Sequence, residues 1–81
     1  MIEFKILGSG CSKCIKTVEK INTIVKDKDI CFSMVTETNP ERIFEYRVVS
    51  MPAVVINERL VHWGSIPKKQ MIESWLITFS R

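Results

Sequence analysis

The residues best equipped for chemistry are Cys11 and Cys14, separated only by Ser12 and Lys13. A disulfide between them would close almost no chain, so it would restrict the unfolded ensemble far less than the long loops that structural disulfides close. The pair is better suited to a reversible dithiol/disulfide, or to two thiolate ligands for a soft metal, than to stapling; an inert pair is the remaining alternative. The third cysteine, Cys31, lies between Ile30 and Phe32 and reads as a core strand residue rather than a further reactive thiol. The sole histidine, His62, falls near a predicted hairpin and reads as a surface or partly packed residue. It forms no recognisable zinc knuckle with Cys31. Neither a metal nor a cofactor is expected; in a metal-carrying alternative, Cys11 and Cys14 would be the ligands.

The elements that must position the pair are legible around it. Glu3-Phe4-Lys5-Ile6 alternates polar and apolar, and with Leu7 it predicts a strand ending at Gly8. Gly8-Ser9-Gly10 is a permissive turn that brings backbone N–H groups close together. A helix is expected from Ser12 to about Lys26, with Ile15, Val18, Ile21, Asn22 and Val25 on the covered side and Lys13, Lys16, Glu19 and Lys20 in solvent. Cys11 then occupies the helix mouth, where unbonded N–H groups and the helix dipole favour a thiolate, and Lys13 adds positive charge. Cys14 falls in the first turn and is the more covered thiol. Cys11 is therefore assigned as the attacking thiol and Cys14 as the resolving one.

Beyond Asp27-Lys28-Asp29, the run Ile30–Val35 predicts a second, mostly covered strand. Asn39 caps a short helix from Pro40 to Tyr46, with Ile43, Phe44 and Tyr46 on its buried side. Met51-Pro52 leads into the strand Ala53–Ile56, Asn57-Glu58 turns the chain, and Leu60–Trp63 returns to Gly64. A last helix is expected from Pro67 to Phe79, with Ser65 as cap and Met71, Ile72, Trp75, Leu76 and Phe79 as its apolar stripe. Trp63 and Trp75 are expected to pack on the sheet.

This pattern resembles the thioredoxin superfamily, in its branch of small redox-active disulfide proteins. Three features carry the resemblance: Gly8-Ser9-Gly10-Cys11-Ser12-Lys13-Cys14 after the first strand, Met51-Pro52 before the third, and the hairpin followed by Gly64. It implies a minimal thioredoxin- or glutaredoxin-like α/β fold, β-α-β-α-β-β-α, with a central four-stranded mixed sheet flanked by three helices. It also implies thiol–disulfide oxidoreductase chemistry at Cys11 and Cys14, with Met51, Pro52, Ser12, Lys13 and Gly10 binding substrate or supporting the pair. The Met51-Pro52 bond would be cis and would face the cysteines. Two departures stand out. Gly10-Cys11-Ser12-Lys13-Cys14 replaces Trp-Cys-Gly-Pro-Cys, and Lys5 stands where thioredoxins keep a buried Asp.

The 81 residues are expected to form one domain, 1–81. Twelve Lys and Arg against nine Asp and Glu give a formal +3 with no cluster dense enough for nucleic acid. The apolar runs are too short for a membrane span, the N-terminus lacks a signal h-region, and a cytoplasmic monomer is expected. Its partners would be a protein or small-molecule disulfide and an upstream reductase. Two competing functions remain. One is a soft-metal carrier, for which a ferredoxin-like βαββαβ fold would be the usual frame, or a thioredoxin-like domain adapted to carry a metalloid, which topology does not distinguish from a redox domain. The other is a partner-binding module that keeps the cysteines without using them.

Overall fold

The computed structural model describes residues 2–8, 10, 12–48 and 50–79. Its elements run β1 (Ile2–Leu7), α1 (Ser12–Asp27), β2 (Phe32–Glu37), α2 (Pro40–Glu45), β3 (Ala53–Ile56), β4 (Arg59–Trp63) and α3 (Lys69–Phe79). The strands form one mixed sheet in the order β2-β1-β3-β4. β2 lies parallel to β1, as a helical crossover requires, while β3 runs antiparallel to both β1 and β4. This is the minimal thioredoxin-like arrangement. It differs from βαββαβ because α2 separates β2 from β3 and the chain ends on α3.

Alternation along β1 and β3 sorts the core onto two faces. Ile2, Phe4 and Ile6 of β1 and Val54 and Ile56 of β3 meet Ile21, Ile24 and Val25 of α1 and Ile72 and Leu76 of α3. On the opposite face, Leu7, Ala53 and Val55 are covered by Ile43 of α2, with Tyr46, Val48 and Leu60 at the margin. The turn at Asn57 and Glu58 has positive φ at both residues, 49° and 68°, the conformation that joins twisted strands through a two-residue loop. One extra residue, Val61, is accommodated between the Val54–His62 and Val55–Leu60 pairs. Asn39 caps α2 as expected: its side-chain oxygen accepts from the Glu41 N–H at 2.9 Å, with Pro40 in the first turn.

Several sequence expectations are corrected. β2 begins at Phe32 and is an edge strand with no fully buried residue, so Cys31 precedes it and is exposed. Phe44 is 81% exposed, because a helix of six residues turns only Ile43 onto the sheet. In α1 the buried stripe is Cys14, Thr17, Ile21, Ile24 and Val25, and Ile15 lies outside it. Trp63, the last residue of β4, is half exposed, whereas Trp75 packs against the main core. α3 starts at Lys69, so Ser65 does not cap it; instead its carbonyl and hydroxyl oxygens lie 3.0 and 3.1 Å from His62 Nε2. Pro67 is fully buried ahead of that helix.

Candidate functional site

The end of the sheet that gathers the predicted site follows from strand register. Leu7 pairs with Ala53, and Ala53 pairs with Trp63. Gly8, Pro52 and Gly64, the next residues in each direction, therefore meet at one edge. The Gly64 N–H donates to the Pro52 carbonyl at 3.0 Å, and the Gly8 N–H donates to the Glu37 carbonyl, also at 3.0 Å. The turn before α1, the loop before β3 and the residue after β4 are thus joined to a continuous sheet. This is the carboxyl end of the parallel strands β1 and β2, where α/β folds leave a crevice for ligands.

Cys11 and Ser9 lie outside the described residues. Around them, Gly10 is exposed with φ +83°, a left-handed conformation that a residue with a Cβ rarely adopts. Ser12 opens α1 and is exposed, as is Lys13. The first turn contains no carboxylate, so the positive end of the helix and the Lys13 ammonium face no opposing charge within it. Cys14, by contrast, is 1% exposed and belongs to the core-facing stripe of α1.

Two residues whose contact with this turn the sequence does not disclose hold Cys14 in place. A Cβ built on Gly8 would fall onto the Cys14 sulfur, so glycine is required there for close approach of strand end to thiol. Thr17, one turn further along α1, is fully buried, and its hydroxyl donates to the Lys13 carbonyl at 2.8 Å. That bond satisfies a polar group in the core and fastens the turn containing Cys14. The signal was available in the spacing, because Cys14, Thr17, Ile21 and Ile24 follow one another at three and four residues. The larger Ile15 and Val18 drew the expected stripe around the helix and away from them.

The Met51-Pro52 peptide is cis. Pro52 is fully buried, whereas Met51 is 46% exposed and presents a soft apolar side chain at the rim. Lys5, where the resemblance would put a buried Asp, is engaged elsewhere. Its ammonium donates to Tyr46 Oη at 3.0 Å, and that hydroxyl donates to Glu58 at 3.1 Å. The Lys5–Glu58 ion pair is 3.7 Å long, and the ammonium also lies 5.5 Å from the Tyr46 ring centre. The bond to Tyr46 is the largest cause of a Lys5 pKa above the ordinary 10.5, opposed by burial and reinforced electrostatically by Tyr46, Glu58 and Glu37. Lys5 ties β1 to α2 and to the β3–β4 turn and substitutes for no buried carboxyl.

Among the described residues, no helix is long and apolar enough to cross a membrane. Comparison with known proteins adds the family. The sequence profile of the thioredoxin domain family matches residues 2–77. A thioredoxin of Methanocaldococcus jannaschii is 30% identical over 79 residues, which is 98% of this chain and 91% of the relative. Among solved structures, thioredoxin 1 of Thermosipho africanus superposes with a TM-score of 0.59 at 23% identity, covering 98% of this chain and 99% of the other; that likeness concerns the fold.

Proposed function

The chain belongs to the thioredoxin domain family, and from that premise we propose that it is a thiol–disulfide carrier in which Cys11 attacks and Cys14 resolves. Family membership supports a general thiol–redox role, and the assignment of roles is our reading. One observation carries it: Cys14 is buried in the first helical turn, with Gly8 against its sulfur, so a partner's disulfide cannot reach it first. Of the two thiols of the motif, Cys11, three residues earlier in the sequence, is then the one left to make the first attack.

The exchange balances as two displacements. Cys11 thiolate attacks one sulfur of a partner disulfide, forming a mixed disulfide and releasing the partner's other sulfur as a thiolate, which takes up a proton. Cys14, deprotonated, then attacks the Cys11 sulfur, releasing the partner's second thiol and leaving a Cys11–Cys14 disulfide. Two electrons pass to the partner, and a dithiol reductant returns them to the pair. Lys13 and the helix terminus favour the Cys11 thiolate, Gly10 supplies the turn geometry before it, and Ser12 opens the helix. Met51 would form the rim against which a substrate lies, with the buried Pro52 supporting it from behind. The domain, taken as 1–81, would act as a monomer.

Trapping tests the order directly. With Cys14→Ser, Cys11 should accumulate a mixed disulfide with a disulfide peptide, seen as an added peptide mass by mass spectrometry. With the exposed Cys31 changed to Ser in both variants, Cys11→Ser should trap none. Equal trapping by both variants would overturn the assignment.

A further inference from the structure

The charge of this chain is unevenly distributed. Lys13, Lys16, Lys20, Lys26, Lys28 and Lys69 all lie on α1, just beyond it, or at the start of α3. Apart from Lys13, each lines an open groove of about 800 Å³ between α1 and α3. Three carboxylates accompany them, Glu19, Asp27 and Glu73, and Glu73 is paired with Lys28 at 3.4 Å. The excess on this surface equals the formal +3 of the whole chain, because the other six basic residues are matched by six acidic ones.

The arrangement runs directly from the cysteine pair. Lys13, Lys16 and Lys20 recur at spacings of three and four, so they occupy one flank of α1, next to the buried Ile24 stripe. At about 1.5 Å of rise per residue, Lys20 lies only about 9 Å along the axis from Cys14. Lys13 and Lys16 are exposed and Lys20 is half-buried; none of the three is in an ion pair among the described residues. We propose that this flank and its groove dock partner proteins that present carboxylates within about two helical turns of their disulfide. The proposal rests on the thiol–disulfide reading above and names the chemistry of the partner. The interspersed Glu19, Asp27 and Glu73 suit an interdigitated protein surface and would repel a continuous phosphate backbone.

Docking of this kind acts mainly on encounter rate and specificity, and it fades when salt shortens the screening length to about 3 Å near 1 M. The test uses the full chain, recycled by dithiothreitol, with three disulfide peptides alike except for flanking Glu, Lys or Ser. At low ionic strength the acidic peptide should be reduced about 10-fold faster than the basic one, within the range of electrostatic steering. The preference should vanish at about 1 M salt. Lys16→Glu with Lys20→Glu should reverse the preference and leave the Ser-flanked peptide unaffected; Lys16→Gln with Lys20→Gln should weaken it severalfold, and serves if the reversal variant misfolds. Reduction of the Ser-flanked peptide without any charge preference would overturn the docking surface alone. Failure to reduce any peptide would overturn the thiol–disulfide function and the docking with it. Tighter binding of a single-stranded oligonucleotide than of the acidic peptide would also overturn the assignment to a protein partner.

Discussion

The face of the sheet beneath α1 and α3 and the face beneath α2 draw on the same strands but are closed differently. Under α1 and α3, ten residues are buried together, from Phe4 and Ile6 to Ile72 and Leu76, with Phe32 edge-on to Phe4 at 6.1 Å. Under α2 the buried set is Leu7, Ile43, Ala53 and Val55, and beyond them the surface passes into the Lys5–Tyr46–Glu58 network. Val35 of β2 remains half exposed. The sixteen residues of α1 can lay four turns on the sheet, whereas the six of α2 cover one spot. The difference teaches which face holds the chemistry rigid. The helix bearing Cys14 is anchored in the thick layer, and the α2 face contributes closure and a polar seam.

Truncating one isoleucine on each face measures that contrast with the chemistry held constant. Ile21→Ala, in the centre of the thick layer, should cost about 4 kcal/mol, and Ile43→Ala about 2 kcal/mol, because the thinner layer collapses more readily around a cavity. Urea unfolding with a shared slope would read both. Equal losses would mean that α2 closes its face as firmly as α1 and α3 close theirs.

The same contrast explains what the sequence disclosed. Long, periodic elements could be read: β1 stops at Leu7 just before Gly8, α1 starts at Ser12, and the Asn39-Pro40 cap and the Asn57-Glu58 turn are where local chemistry places them. The site was legible as a motif on a strand–turn–helix junction, and Met51-Pro52 as the approach to β3. Missed features depend on tertiary closeness. Phe44 is as apolar as a core residue, and only the shortness of α2 leaves it outside. Cys31 sits in an apolar run whose strand is an edge, which composition alone does not reveal. Gly8 reads in the sequence as part of a permissive turn, but its role is to leave room for a sulfur.

That role gives a sharper test at the junction between the layers. Gly8→Ala introduces a methyl where the Cys14 sulfur already sits, and should cost about 1–3 kcal/mol, the usual range for overpacking. Cys14 must also shift. In a Cys11→Ser background, iodoacetamide should therefore label Cys14 faster in the Gly8→Ala protein, as followed by mass spectrometry. Gly10→Ala is the control: nothing lies within 4 Å of its Cβ position, but its φ of +83° disfavours a side chain. It should cost about 1 kcal/mol and leave Cys14 labelling unchanged. Identical labelling in both variants would show that Gly8 acts through backbone freedom and not through contact.

The smallest expected effect probes the polar seam of the α2 face. Lys5 has its pKa raised above 10.5, first through the hydrogen bond to Tyr46 and less through the Glu58 charge. A cation whose folded pKa exceeds its unfolded value adds stability that is fully present below the unfolded pKa and is lost as pH rises through the folded one. The stability gap between wild type and Lys5→Met should therefore be flat from about pH 6 to 9 and shrink only above about pH 10.5. Since the partners are partly exposed, the gap itself should stay within about 1 kcal/mol. The ranking of causes is separately measurable by following the Lys5 ε-carbon in an NMR titration. Tyr46→Phe should lower the Lys5 pKa more than Glu58→Gln does, because the phenol oxygen accepts the closer bond, 3.0 Å against an ion-pair distance of 3.7 Å. A larger drop with Glu58→Gln would recast the seam as a surface ion pair with Tyr46 as a bystander. The α2 face would then be held by its four buried side chains alone.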